Sequence, residues 1–236
     1  MTRKNNKPNL VFLPGMDGAG ELFKPLLGFF KEYNCQIIKL PQSGPQDYPS
    51  LCDYVKDKLP TDDFVLIAES FSGPVAALLA QHKIDNLKGI VFIATFLSCP
   101  NKILTRIGKS LPLKPLMKFP GSRYFIKKLF LGNQTDIQLI EKFQSIVSKV
   151  PNKVLSNRIE VMQKLTYQNF KCQLPSIYLL PRSDRLVPKS KANEFKECFI
   201  NLYVIEIDGP HFILQAQPKT SADIILEFLK SDINIS

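Results

Sequence analysis

The chain has 236 residues, 44% of them hydrophobic, and a formal net charge of +10 at pH 7, which is enough apolar material for one domain with a full core. No apolar run reaches the ~20 residues that cross a bilayer. Five scattered cysteines (Cys35, Cys52, Cys99, Cys172, Cys198) contain no C-x-x-C pair and argue against a disulfide framework or a zinc site, and two histidines argue against a multi-histidine metal centre.

In chain order, the basic start Met1-Thr2-Arg3-Lys4-Asn5-Asn6-Lys7 leads into an apolar strand, Asn9-Leu10-Val11-Phe12-Leu13, rather than a signal-peptide core. A cytoplasmic protein is expected. Cys35-Gln36-Ile37-Ile38-Lys39-Leu40 reads as a second strand stopped by Pro41, and residues 50–59 as a helix ended by Pro60. Residues 63–69 form a third strand and 72–83 the helix after it; Leu87 to Ala94 is a fourth strand and Ser176 to Leu180 a fifth. Residues 189–199 are helical, Leu202 to Ile207 is a sixth strand, and 219–230 form a closing amphipathic helix. Apolar strands alternating with helices predict an α/β fold: a compact, mostly parallel sheet of about six strands with helices on both faces.

Residues 97–170 break this rhythm. They hold thirteen basic residues against Asp136, Glu141 and Glu160, so this one segment carries the whole positive excess. It reads as a helical cap inserted into a single domain spanning 1–236. Its apolar residues Leu104, Ile107, Leu111, Leu113, Leu116, Met117 and Phe119 are expected to pack the cap onto the core and to line an apolar pocket. The charge would meet an anionic lipid surface. No nucleic-acid motif accompanies it, so nucleic-acid binding is not expected.

The chemistry concentrates at strand ends. Ser70, in Ala68-Glu69-Ser70-Phe71-Ser72-Gly73, lies where the third strand turns abruptly into a helix. A lone serine is a poor nucleophile and needs a base. His82 lies at the end of that helix and reads as a solvated residue. His211, in Asp208-Gly209-Pro210-His211-Phe212, follows the sixth strand and so belongs to the edge where ligands collect. Asp184, just after the fifth strand, could orient the imidazole or only bond its own turn. Asp208 is the alternative acid, but lies two residues from His211 and reads as shaping that turn. Leu13-Pro14-Gly15-Met16-Asp17-Gly18-Ala19-Gly20 has the spacing G-x-x-G-x-G, which fits neither phosphate-binding pattern. It fits a tight loop presenting the Met16 N–H, with the Phe71 N–H as a second donor to an oxyanion. Ser72 is expected to cap the helix after it. Glu69 reads as structural and Cys99 as an ordinary thiol.

Together, Leu13-Pro14-Gly15, Glu69-Ser70-Phe71 and Pro210-His211-Phe212 resemble an α/β-hydrolase-fold serine hydrolase of the esterase, lipase or thioesterase kind, nearly end to end. The resemblance implies a catalytic triad of Ser70, Asp184 and His211, in the chain order of that family, with backbone donors at Met16 and Phe71. It implies cleavage of a small carboxylic ester or thioester through an acyl-enzyme, with no cofactor and no metal. The Gly-rich loop with Glu-Ser-Phe also resembles phytyl ester synthase-like acyltransferases, so transfer to a lipid or small alcohol is an alternative. A non-catalytic binding protein on the same fold is another. The family's G-x-S-x-G appears here as Ala68-x-Ser70-x-Ser72, small enough to form the turn with some strain.

Overall fold

The computed structural model describes residues 7–103, 105–106, 119, 121–132 and 136–233. Six strands form one sheet: β1 (Asn9–Leu13), β2 (Cys35–Ile37), β3 (Phe64–Glu69), β4 (Leu87–Ile93), β5 (Ser176–Pro181) and β6 (Leu202–Ile207), in the order β2-β1-β3-β4-β5-β6. Every pairing is parallel, where the sequence predicted a mostly parallel sheet. The helices are α1 (Lys24–Leu27), α2 (Tyr48–Lys56), α3 (Gly73–Gln81), α4 (Ser122–Ile126), α5 (Ile137–Lys149), α6 (Asn152–Lys164), α7 (Lys191–Cys198), α8 (Ile213–Ala216) and α9 (Pro218–Ser231).

Strand alternation sorts the core into two layers. Val11 and Leu13 of β1, with Phe64, Leu66 and Ala68 of β3, pack against α2, α3 and α7. Leu10 and Phe12, with Val65 and Ile67, face α1, α8 and α9. By the same alternation Glu69, the last residue of β3, turns toward the α8–α9 side. The element bounds differ from expectation mainly at caps. α2 starts at Tyr48 because the Asp47 side chain accepts from the Ser50 N–H and Pro49 suits the first turn. β2 ends at Ile37 because Ile38 follows β1 for one more hydrogen bond and then the chain turns toward Gly18.

Between β4 and β5, helix α5 buries Ile140, Phe143, Ile146 and Val147, a stripe at helical spacing, against Ile126, Leu131, Val154, Leu155 and Phe212. Of the apolar residues expected to pack this segment, Leu104, Ile107, Leu111, Leu113, Leu116 and Met117 lie outside the described residues. Phe119 does not pack as expected: it is exposed, because it precedes the turn at Gly121 that starts α4.

The β3–α3 turn is held by close packing. The Thr95 hydroxyl donates to the Ser70 carbonyl at 2.5 Å, and the Tyr178 hydroxyl of β5 accepts from the Thr95 N–H (3.0 Å) and donates to its carbonyl (2.6 Å). Gly73 has no room for a side chain: a Cβ there would lie 1.9 Å from Thr95 Oγ1. Gly73→Ala is therefore expected to cost about 1–3 kcal/mol and several degrees of Tm. Adding Thr95→Ala should return part of that loss. Thermal unfolding followed by circular dichroism checks both, and equal Tm for Gly73→Ala and the parent would contradict the packing argument.

Candidate active site

The strand order reverses between β1 and β3, and ligands of open α/β sheets bind at such a switch point, outside the C-terminal strand ends. The Gly-rich loop leaves β1 there and Ser70 leaves β3. Ser70 has φ +50°, a left-handed conformation costly for a residue with a Cβ. Ser70–Ser72 form one 3₁₀ turn before α3 begins. Gly15 of the β1 loop lies beside this turn: a Cβ there would stand 3.7 Å from that of Ser70, an ordinary van der Waals contact.

Ser72 does not cap α3 as expected. Its hydroxyl donates instead to the Pro14 carbonyl, 58 residues away. The 3₁₀ turn aims the Ser72 side chain across at the β1 loop, so the bond ties that loop to the serine turn. Within the loop, Gly18 N–H donates to the Gly15 carbonyl, and Asp17 Oδ2 accepts from the Ala19 N–H at 2.8 Å. Among the described residues no acceptor meets the Met16 N–H.

The turns after β5 and β6 are laced together by Arg182 N–H to the Ile207 carbonyl (2.8 Å) and Ser183 N–H to the Gly209 carbonyl (3.0 Å). This brings Asp184 and His211 to one place. His211 Nδ1 lies 2.7 Å from Asp184 Oδ2, and Nε2 lies 2.9 Å from Ser70 Oγ. A carboxylate only accepts, so the Nδ1 proton goes to Asp184, and Nε2 is left to accept from the Ser70 hydroxyl. Asp184 also bonds its own turn: its other oxygen, Oδ1, accepts from the Leu186 and Val187 N–H groups at 2.8 and 3.0 Å, which locks the carboxylate's direction. His211 is 3% exposed. Burial alone would lower its pKa, but the Asp184 charge and hydrogen bond, with Glu69 beyond, outweigh it and hold the imidazole above its ordinary value.

The remaining candidates fall away from this cluster. His82 is at the far end of α3, with Lys56 Nζ 3.4 Å from its Nδ1. Asp208 pairs with Arg182 at 3.1 Å instead of shaping the His211 turn, and its side chain points to solvent. Cys99 is buried, its sulfur 3.7 Å from Thr105 Oγ1. No group of three or more His, Cys, Asp or Glu side chains that could hold a metal occurs among the described residues.

Two buried charges were not anticipated. Arg158, counted among the basic residues of the inserted segment, is wholly buried and reaches the Met16 carbonyl. Its position on the Val154-Leu155-Ile159 stripe of α6 was the available signal. Glu69 is 2% exposed, and its Oε1 and both polar atoms of Gln215 meet no hydrogen-bond partner among the described residues. Burial, then the nearby Asp17, push the Glu69 carboxyl up to about 7, against the pull of His211. The folded chain thus holds this proton more tightly than the unfolded chain, so ionising Glu69 removes stability as pH rises from the ordinary carboxyl range through about 7. Glu69→Gln cannot ionise. Its Tm relative to the parent is expected to rise between pH 5 and pH 8, and a parallel pair of Tm–pH curves would contradict the assignment.

Residues 43–201, more than half of the chain, match the family described as serine aminopeptidase, S33. No curated protein matches the sequence significantly. Among solved structures, an esterase (EaEST) from Exiguobacterium antarcticum superposes with a TM-score of 0.82 at 12% identity, covering 95% of this chain and 92% of that one. A lipase-esterase related protein from Clostridium acetobutylicum gives 0.75 at 19% identity, covering 95% and 96%. The enol-lactonase from Burkholderia xenovorans gives 0.77 at 12%, covering 98% and 94%. At these identities the structural likeness speaks to the fold. With the six-stranded parallel sheet and the family match, the chain belongs to the serine aminopeptidase, S33 family of α/β-hydrolase-fold hydrolases.

Proposed function

We propose that the protein is a serine hydrolase that cleaves a small carboxylic ester or thioester through an acyl-enzyme on Ser70. The observation that carries this reading is the continuous chain Ser70 Oγ–His211 Nε2–His211 Nδ1–Asp184, at 2.9 and 2.7 Å. Ser70 Oγ attacks the acyl carbonyl carbon while His211 Nε2 takes its proton. Asp184 holds the imidazole in the required tautomer and stabilises the imidazolium. The N–H groups of Met16 and Phe71 receive the developing oxyanion. Collapse of the tetrahedral intermediate breaks the bond to the alkoxide or thiolate, which leaves with the proton from His211. Water, deprotonated by His211, then attacks the acyl-enzyme and releases the acid and free Ser70; an alcohol in its place would give acyl transfer. Each step balances with the side chains present, and the mechanism calls on no cofactor.

The first test is a substrate panel of p-nitrophenyl esters, acyl-CoA thioesters and, because the family description names a peptidase, an aminoacyl p-nitroanilide. Ester or thioester turnover with fluorophosphonate labelling at Ser70 supports the reading. Cleavage of the anilide alone would move the substrate class to peptides, and no reaction with any of them would leave a binding protein. Ser70→Ala and His211→Ala are each expected to lose roughly 10⁴-fold or more in kcat, with the double variant little worse, because the groups act as a unit. His82→Ala should be near normal. Asp184→Asn should cost more than Asp208→Asn and should shift the acid limb of the kcat/KM profile to lower pH, since the carboxylate is what raises His211. Near-native kcat in purified, folded Ser70→Ala would sink the nucleophile assignment.

Residues 97–170 are read as a cap on a single hydrolase domain. Supporting this, the α5 cluster packs on Phe212, beside His211, and reaches the Met16 side chain. The Phe130 and Phe143 rings lie 5.2 Å apart, tilted at 40°, and the Phe212 N–H donates to the Phe130 carbonyl at 3.0 Å. The cap's exposed cations suit an anionic lipid interface, whereas nothing in the chain calls for nucleic acid. No helix among the described residues is long and apolar enough to cross a membrane, and the five cysteines are free thiols, which fits a reducing cytoplasm. Phe130→Ala and Phe143→Ala are expected to shift the preferred acyl length with less effect on fluorophosphonate labelling. Sedimentation with anionic vesicles should exceed that with neutral ones and should weaken with salt. An unchanged chain-length profile would remove the cap from substrate selection.

A further inference from the structure

Arg158 is the largest fully buried side chain among the described residues, at 0% exposure, on a helix whose neighbouring inward residues are Val154, Leu155 and Ile159. A guanidinium is expensive to bury, and sequences place one inside only where its donors are met. Here three separate donors reach three acceptors, each 112 or more residues away along the chain: Nε to Gln46 Oε1 at 2.9 Å, Nη1 to the Met16 carbonyl at 2.7 Å and Nη2 to the Pro41 carbonyl at 2.8 Å. The guanidinium carbon also lies 5.7 Å from the centre of the Phe71 ring, whose ring centroid is 5.2 Å from that of Tyr48. The loop makes way for it. A Cβ on Gly18 would come within 2.6 Å of Nη1, at a φ of +69° that already disfavours other residues.

Arg158 therefore touches both residues whose backbone N–H groups were assigned to the oxyanion. We propose that Arg158 is a positioning residue that holds Met16 and Phe71 in register as oxyanion donors, and so makes the inserted segment part of the machinery of Ser70. This rests on the serine hydrolase reading above. Oxyanion donors help only when they are already aimed, and a short bond from a cation to the Met16 carbonyl fixes the peptide plane that follows the donor. All three direct acceptors are neutral. The carboxylate of Asp17 acts on the guanidinium only through space, and burial still lowers the Arg158 pKa to about 10. The cation thus leaves a positive potential beside the two donors, the sign that a developing oxyanion needs. A lysine has one nitrogen and cannot span the three acceptors that the planar fork reaches.

The experiment compares the parent, Arg158→Lys, Arg158→Met and Gln46→Met as purified full chains. Each is checked for its thermal midpoint and counted by fluorophosphonate titration of Ser70. Turnover of p-nitrophenyl acetate, too short to engage an acyl pocket, gives kcat and KM per titrated site. An alkyl trifluoromethyl ketone, which forms an anionic hemiketal with the serine, reports the oxyanion donors directly. Arg158→Lys and Arg158→Met are expected to lower kcat ~10- to 100-fold, less than outright loss of a donor. KM should stay within about twofold and ketone affinity should fall by the same factor as kcat/KM, while the acid limb set by His211 stays in place. Gln46→Met keeps Arg158 but removes the Nε acceptor, and is expected to show the same pattern at ~3- to 10-fold. Folded Arg158 variants with parental kcat per titrated site and parental ketone affinity would overturn the proposal. So would a parental Gln46→Met if the Arg158 variants fail to fold. A parent that neither labels at Ser70 nor turns over ester would instead bring down the hydrolase reading, and this inference with it.

Discussion

Leu13 and Ala68 are partners in the parallel ladder between β1 and β3, five residue pairs long, and the arrangement of the site hangs on that register. Because the two strands run the same way and end together, the chain leaves the sheet twice at the same spot. One exit is the Gly15 loop and the other is the Ser70 turn. A slip of one residue would send Ala68 to the opposite face and carry Ser70 away from the loop. The Ser72-to-Pro14 bond and the close approach of Gly15 to Ser70 only become possible once that ladder is in place. The left-handed conformation of Ser70 is then enforced by its surroundings, above all by Thr95 after β4, which is itself gripped by Tyr178 of the adjacent strand β5.

The same geometry separates three carboxylates that lie close together in space. Asp184 is bonded through both oxygens, to its own turn and to His211. Asp17 is spent on the loop, accepting from Ala19. Glu69 has its Oε1 without a partner among the described residues, and burial, then the nearby Asp17, raise its proton affinity. Asp17 too is pushed up by burial, against the bonds its charged form accepts from the Ala19 and Gly20 N–H groups. One small region thus holds a carboxylate bonded to an imidazole beside another whose carboxyl is pushed up to about 7.

The inserted segment also divides into two kinds of charge. Arg123 pairs with Glu141 at the surface, at 2.9 Å and more than half exposed, where such pairs contribute little. Arg158, from the same run of basic residues, is inside and bridges α6 to loops that follow β1 and β2. Counting charge along the chain treats the two alike. Of the two, Arg158 is the one bonded to the loops beside the site.

By itself the sequence determined the six strands and their parallel sense, and it set Ser70, Asp184 and His211 just past strand ends, because each is a local signal: an apolar run, a breaker, and a polar residue where a strand stops. Strand ends all face one edge in a parallel sheet, so a residue's place in the chain already states which edge it joins. What only the tertiary structure decided depends on partners more than a hundred residues distant or on the third dimension of a turn. Ser72 reads as a helix cap until Pro14 is beside it, and Phe119 reads as packing until the turn at Gly121 leaves it in solvent. Arg158 reads as one more surface cation until Met16, Pro41 and Gln46 converge on it. The physical reason is common to all three. A polar or apolar side chain has several ways to be satisfied locally, and long-range packing selects among them by what it brings within hydrogen-bond reach.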